Sequence, residues 1–388
     1  MGDGSLVLYI QYTNPNAYPP LEHSSRLLAD AGWQVLFLGT GARGAADKLV
    51  FSPHSRVQIK LMHYCPPGWR QKLHYLTYIL WVLAWVAWSR PKAVYCSDAL
   101  TCPVALLVHW LFRVPVYYHE HDSPAPATSA MMWICAAARR RLARVARLCI
   151  LPNAERLAAF TIALRPRQTV CVWNCPTRDE ATLARDSARM TGIILWYHGS
   201  LTPSQFPPTV IHALAQLPPN VTLRFAGYET IGHSGYVNEL LQLAGQLGVA
   251  DRVRYLGTPP SRRELFALAR QADVGLVLFD RQFREPMAGA SNKPFDYLAC
   301  GLALLVTDTP EWEKMYAAAG YAQSCDPHDP EAIAAAVRWF LERPGEARTM
   351  GEAGRLRLEA EWNYETQFQP VADLMSVPTT RQRSDDAG

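Results

Sequence analysis

The chain has 388 residues, of which 49% are hydrophobic and 19% charged; this supports two or three packed domains and excludes a disordered protein except at the ends. The formal net charge is only +4, and there is no long basic tract, so nucleic acid is not an expected partner. The nine cysteines are odd in number and form no Cys-x-x-Cys, which points to reduced, mostly buried thiols of a cytoplasmic protein and away from a disulfide framework.

In chain order, Leu6–Ile10 is a strand, too short and too poor in basic flank for a signal peptide. Leu21–Ala31 is a helix stopped by Gly32, and Val35–Leu38 and Val57–Leu61 are strands. Leu76–Trp88 is apolar all round but falls short of the ~18 residues of a membrane span. Two readings stand for it: a buried helix, or a helix on a bilayer surface, which Trp81, Trp85 and Trp88 suit. Strands at Ala93–Cys96, Val116–Tyr118, Leu148–Leu151 and Val170–Trp173 alternate with helices near Val104–Phe112 and Ser129–Arg147. On the last helix Arg140, Arg144 and Arg147 share a face, which is either solvated or in contact with anionic lipid or a phosphorylated acceptor.

Asn174–Met190 is polar and without apolar period, as in a linker. The alternation then restarts, with strands at Ile193–Tyr197, Thr222–Ala226, Val253–Leu256, Val274–Leu278 and Ala303–Val306. Helices fall at Pro208–Leu217, Tyr236–Leu247, Arg263–Gln271, Pro294–Cys300, Pro330–Leu341 and Glu346–Glu361. The strands are nearly continuous apolar runs, the mark of parallel sheets covered on both faces. The pattern divides the chain into a first α/β domain over residues 1–176, a linker over 177–190, a second α/β domain over 191–362 and a C-terminal segment with a polar tail over 363–388. Two such domains place a crevice at the carboxyl ends of their sheets.

Gly39-Thr-Gly-Ala-Arg-Gly44 fits G-x-G-x-x-G, but it follows the second strand and no acidic residue stands about 20 positions on, so it is a flexible turn. No Walker A loop, His-Glu-x-x-His, cysteine–histidine metal spacing or Asp-x-Asp occurs; Glu120-His-Asp122 comes nearest to the last. The most informative stretch is Ser291-Asn-Lys-Pro-Phe-Asp-Tyr-Leu-Ala-Cys-Gly301. Pro294 favours a helix start that Ser291 or Asn292 can cap. Free backbone N–H groups, the positive end of the helix and Lys293 then face one point, where a diphosphate would sit. Asp296 can accept hydrogen bonds from two ribose hydroxyls. A capped surface helix stopped by Gly301 is the competing reading.

This segment resembles the donor-binding signature of glycosyltransferase family 4 (glycosyl transferases group 1), in which Ser-Pro-Lys-x-x-Glu-Tyr-Met-Ala-x-Gly precedes a strand and the glutamate grips the ribose; Asp296 holds that position. Tyr197-His-Gly-Ser-Leu201 resembles the first strand and glycine loop of the donor domain, and Leu223-Arg-Phe-Ala-Gly227 the next strand and its glycine. Asp251-Arg-Val-Arg-Tyr-Leu-Gly257 follows in the family's order. Val116-Tyr-Tyr-His-Glu-His-Asp122 resembles the acceptor-domain strand that ends in His-Glu or His-Asp, and Asn174 resembles the hinge asparagine. There are two departures. The family's earlier glutamate falls at Ala288, with Glu285 out of register, and the donor loop Ser200–Gln205 carries no basic residue, so Lys293, helped by Arg281 or Arg284, takes the phosphates.

The resemblance implies a GT-B fold, two Rossmann-like domains with parallel sheets facing across a cleft. It implies a retaining, metal-independent transfer of a sugar from a nucleoside diphosphate to an acceptor hydroxyl, in cell-envelope glycan or glycolipid synthesis. The implied catalytic residue is His121, with His119 as fallback; the implied donor-binding residues are Gly199, Ser200, Gly227, Ser291, Asn292, Lys293 and Asp296. No metal or cofactor is expected, the nucleotide sugar being a substrate. The expected partners are that donor, a glycan or lipid-linked acceptor and an anionic membrane surface, on the cytoplasmic side of the membrane. The alternatives are a nucleotide-sugar 2-epimerase of the same fold and a non-catalytic GT-B partner subunit.

Overall fold

The computed structural model describes residues 5–124, 127–181, 192–280 and 287–376, the side chain of Ile231 excepted. The first half runs β1 (Leu6–Ile10), α1 (Pro19–Asp30), β2 (Gln34–Thr40), β3 (Val57–Met62), α2 (Trp69–Ser89), β4 (Ala93–Ser97), α3 (Cys102–Phe112) and β5 (Val116–His119). It continues through α4 (Ala130–Val145), β6 (Leu148–Leu151), α5 (Ala154–Leu164) and β7 (Thr169–Cys171), with a short α6 (Arg178–Ala181) after it. The second half runs β8 (Ile193–Leu201), α7 (Thr209–Ala215), β9 (Val221–Glu229), α8 (Tyr236–Gln246), β10 (Val253–Tyr255), α9 (Arg262–Ala269) and β11 (Val274–Val277). Then come α10 (Asn292–Ala299), β12 (Ala303–Thr307), α11 (Pro310–Trp312), β13 (Ala322–Cys325), α12 (Pro330–Glu342), α13 (Pro344–Ala360) and α14 (Tyr364–Ser376).

The strands form two parallel sheets, ordered β3-β2-β1-β4-β5-β6-β7 and β10-β9-β8-β11-β12-β13. The order reverses beside β1 in the first sheet and beside β8 in the second, and these switch points are where ligands enter such folds. Burial explains the apolar runs: Val7 through Ile10 and Leu302 through Val306 are almost wholly inaccessible. One face of the first sheet packs on α2, α3, α4 and α5, the other on α1 and α14. None of the nine cysteines is disulfide-bonded.

Three elements depart from the sequence reading. Between β6 and β7 the chain forms α5, nucleated by Asn153, whose side chain accepts from the N–H groups of Glu155 and Arg156. A sixth strand, β13, closes the second sheet. The C-terminal segment after residue 362, for which no helix was expected, forms α14 and returns to the first domain: Tyr364, Phe368, Val371 and Met375 pack into its core, and the Tyr364 hydroxyl donates to Pro20 O at 3.1 Å. Residues 182–191 of the expected linker and 377–388 of the tail lie outside the described residues.

The apolar helix α2 is longer than its core run and is only half buried. Tyr75, Tyr78, Val82 and Val86 are inside, Trp81 and Trp85 pack partly against the core, and Leu76, Leu80 and Trp88 face outward. Among the described residues no helix is long and apolar enough to cross a membrane.

Candidate active site

Two glycines shape the second domain's side of the cleft. The carboxyl ends of β8 and β9 run in register, Gly199 beside Gly227, at φ values of +128° and +137° that disfavour side chains. A Cβ on Gly227 would overlap the carbonyl oxygen of Gly199, and one on Gly199 would lie 2.7 Å from Cε of Lys293. The bare backbone therefore lets Lys293 lie across the glycine loop, its Nζ 3.0 Å from Gln205 Oε1 and 5.0 Å from the ring of Phe279. Burial lowers its pKa to about 8, against the opposing pull of Asp296, so it stays charged at neutral pH.

Helix α10 begins at Asn292, with Ser291 as its N-terminal flanking residue, but the Ser291 side chain does not cap it. The buried Ser291 Oγ and Asn292 Oδ1 have no hydrogen-bond partner among the described residues. Both residues line the same cavity as Lys293. The end of the helix thus offers a cation, backbone N–H groups and two unused polar atoms to whatever enters.

Asp296 is buried, 2% exposed, and already has protein partners. Arg262 Nη2 reaches Oδ1 at 2.9 Å, and His198 Nε2 lies 3.2 Å from Oδ2. The His198 tautomer follows from its other nitrogen, which accepts from the donor-only indole N–H of Trp196 at 2.9 Å; Nε2 therefore carries the proton and donates to Asp296. Arg262 also holds Glu180 through Nε at 2.7 Å, and His23 Nε2 lies 3.2 Å from the same carboxylate. Burial alone would raise the pKa of Asp296 and Glu180, but Arg262, with His198 at the first and His23 at the second, holds both below the ordinary range.

Across the cleft, the carboxyl end of β5 presents the histidines. His121 is 4% exposed and lines the cavity, and neither ring nitrogen has a partner among the described residues. His119 lies behind it, ring centroids 3.8 Å apart, with Nδ1 on the Tyr95 hydroxyl at 2.7 Å; it does not line the cavity. Burial lowers the pKa of His121 to about 4, and burial together with the neighbouring His121 lowers that of His119 well below the usual imidazole value, so both are neutral at pH 7. Beneath them Asp98, at φ +62°, accepts the His121 N–H at 3.0 Å. A positive φ on a residue other than glycine is strain held by its surroundings, and here it fixes the backbone that carries His121. Glu120 turns inward, bidentate with Arg139 at 2.5 and 2.7 Å.

Of the residues singled out in the sequence, His121, Gly199, Ser200, Gly227, Ser291, Asn292, Lys293 and Asp296 line one cavity of about 370 Å³. Arg281, Arg284 and Glu285 lie outside the described residues. At Ala288, Glu311 comes in from α11: its carboxylate accepts the N–H groups of Met287, at 2.8 Å, and of Ala288. Arg262, His198 and Glu180 carry weight that the sequence reading did not give them. The Ser261-x-x-Glu264 capping box, in which Ser261 Oγ accepts the Glu264 N–H at 3.3 Å, marks the helix start on which Arg262 sits.

Arg262→Ala leaves the buried Asp296 and the partly buried Glu180 without their shared cation and is expected to cost about 3–5 kcal/mol. Urea unfolding at neutral pH measures this, and a loss below about 1 kcal/mol would show that water can replace the guanidinium.

Residues 180–357 match the family model for glycosyl transferases group 1, and residues 21–175 that for a glycosyl transferase 4-like domain. No match was found among curated protein sequences. Among solved structures the fold is similar to that of Anabaena HepE in complex with UDP and glucose, with a TM-score of 0.73 and 18% identity over 96% of this chain and 99% of that one. It is similar to sucrose-phosphate synthase from Thermosynechococcus elongatus, at TM-score 0.71 and 18% identity over 95% and 98% of the two chains. It is also similar to WaaG, a glycosyltransferase involved in lipopolysaccharide biosynthesis, at TM-score 0.68 and 15% identity over 96% and 100%. With a model on each half and the two-sheet architecture in common, the chain belongs to the group 1 glycosyltransferases, and its fold is GT-B.

Proposed function

We propose that this glycosyltransferase takes its sugar from a nucleoside diphosphate bound in the cleft, and passes it to a hydroxyl of an envelope glycan or lipid-linked acceptor with retention of configuration. The observation that carries the reading is the shared cavity: Lys293 and the open end of α10 on one wall, the unpartnered ring of His121 on the other. In the reaction the bond between the anomeric carbon and the diphosphate oxygen breaks, an acceptor oxygen takes its place, and the proton of the acceptor hydroxyl leaves with the diphosphate. Negative charge grows on the departing diphosphate, where Lys293, the N–H groups of α10 and the Ser291 hydroxyl stand ready to receive it. Positive character grows on the sugar ring. A neutral His121 can hold a sugar hydroxyl without adding a repelling charge to it. Gly199 lets Lys293 reach the phosphates across the bare loop, and Asp296, kept ionised by Arg262 and His198, offers its remaining lone pairs to the ribose. In this reading the enzyme needs neither a metal nor a cofactor and works in the cytoplasm.

The HepE structure holds UDP, so UDP is the first nucleotide to try. Asp296→Asn is expected to weaken UDP binding by about 1–3 kcal/mol, the value of charge-assisted hydrogen bonds to the ribose. Calorimetry checks this against a thermal melt that confirms the fold, and an unchanged dissociation constant would remove Asp296 from the site. His121→Ala should behave in the opposite way, lowering kcat by tenfold or more while UDP affinity stays put. Donor turnover measured as UDP release, beside the same calorimetry, separates the two effects; wild-type turnover in His121→Ala would end its catalytic role.

Lys293 gives the binding a pH signature. The ammonium is the binding form, so affinity should be steady below its pKa of about 8 and fall about tenfold between pH 7 and pH 9. In Lys293→Met the affinity should be low and flat with pH. A wild-type curve as flat as the variant's would show that another group meets the diphosphate.

A further inference from the structure

The four helices on the outer face of the first sheet lie side by side, α2 against α3, α3 against α4 and α4 against α5. Their outward sides are apolar to a degree the core does not require. On α2, Trp69, Leu73, Leu76, Leu80 and Trp88 are each more than half exposed, and their spacing sets them along one flank of the helix. Trp110 and Leu111 at the end of α3, and Trp133 and Ile134 at the start of α4, are exposed to the same extent. Scattered apolar residues are ordinary on a surface; a stripe along one helix, with further exposed tryptophans on its neighbours, marks a docking face.

The charges on this face choose the partner. Helices α2, α3 and α4 contain no aspartate or glutamate at all, while Arg70, Lys72, Arg140, Arg141 and Arg144 are exposed on them; Arg147, just past α4, turns instead to Tyr117 of the opposite core. Exposed tryptophans interleaved with cations fit the interface of an anionic bilayer, where the rings lie among the headgroups and the guanidinium groups meet lipid phosphates. A second copy of the chain fits poorly: a two-fold contact through this face would bring cation against cation with no carboxylate between.

We propose that the outer face of α2, α3 and α4 docks on an anionic lipid bilayer, apolar residues supplying one attraction and arginines the other. The proposal rests on the glycosyl-transfer reading only for its purpose, which is to bring the cleft to a membrane-borne acceptor; the contact itself is independent of catalysis. The test is flotation of the full-length protein with vesicles of phosphatidylcholine containing phosphatidylglycerol, beside vesicles of phosphatidylcholine alone. Binding is expected to the anionic vesicles at low salt, to weaken as salt screens the arginines, and to fall at least tenfold in Arg140→Gln/Arg141→Gln/Arg144→Gln and, separately, in Trp88→Ser/Trp110→Ser. Both variants should bind UDP as the wild type does, which certifies the fold and keeps a failure of docking distinct from a failure of the donor site. No flotation at low salt, equal flotation with neutral vesicles, or full binding by both variants overturns the proposal. So does a concentration-dependent dimer that the same substitutions dissolve, since a second copy would then cover the face.

Discussion

Arg262 lies between two carboxylates from distant parts of the chain, Glu180 on α6 and Asp296 on α10, with hydrogen bonds at 2.7 and 2.9 Å. Burying three charges costs more than a simple ion pair returns, unless the geometry is good and the remaining bonds are made. Here the planar fork of a guanidinium reaches both partners at once, which a lysine could not do. His23 on α1 stands 3.2 Å from Glu180, so the group joins the first domain, the start of the second and the floor of the cleft through one cation. Arg262 also determines what Asp296 can be: a permanently ionised acceptor, part of whose capacity is already used.

A second tie crosses the domains at the loop before α10. Asn174 donates from its side chain to Ala290 O at 2.7 Å, and its backbone N–H donates to Gly289 O at 2.8 Å. Asn153 donates to Ala288 O, and Glu311 holds the N–H groups of the same loop from the other side. The loop is thus spanned between the ends of β6 and β7 and the second domain's own α11. A third, lighter link is the N–H of Val50 on Pro260 O at 3.0 Å. The loop tie and the Val50 link are neutral hydrogen bonds that water can substitute, while the Arg262 group is charged and largely buried, and one apolar cluster of the second sheet takes in Cys175 and packs on Trp173 at the end of the first half. Opening the cleft therefore costs the Arg262 ion pairs together with polar contacts at its rims and leaves the strands of both sheets paired, a condition for hinge motion in a two-domain enzyme.

The fold was legible wherever one segment carried its own signal. β1, β4, β6 and β12 are short apolar runs, each buried on both faces, and their position needs no knowledge of the partner strand. Helix α10 announced itself through Pro294 and Lys293. What escaped depends on what lies opposite. Helix α5 buries only Phe160 and Leu164 and so shows little stripe, and β13 reads Ala-Gln-Ser-Cys, with a half-exposed middle. Helix α14 does carry a helical spacing in Tyr364, Phe368, Val371 and Met375, but Pro370 interrupts it, and its site on the first sheet lies over 300 residues back in sequence, 344 for the bond from Tyr364 to Pro20. The glycines at the ends of β8 and β9 and Asp296 were legible as a motif, and they line one cavity. Arg262, His198 and Glu180 were not, because each matters through a partner that no local pattern names. The cap at Ser291 was inferred from residue type, and the structure leaves that hydroxyl unused by the helix.

Net charge is a sum, and here it conceals a segregation. The whole chain is at +4, yet from Lys48 to Ala154 the acidic residues are Asp98, Glu120 and Asp122 alone, and all three belong to the β4 and β5 ends of the first sheet. Asp98 supports His121, Glu120 neutralises Arg139, and Asp122 lines the cavity. With the carboxylates of this stretch drawn to the ends of β4 and β5, helices α2, α3 and α4 are left positive and apolar together. Helix α2 belongs to both regions. Gln71 and His74, on one side of it, wall a larger cavity of about 1,090 Å³ that opens between the domains, and the stripe from Leu73 to Trp88 faces away from the protein. On the proposed reading, an acceptor with a saccharide head and a lipid anchor would meet two sides of the same helix, its head in the cavity and its anchor in the bilayer beneath the stripe.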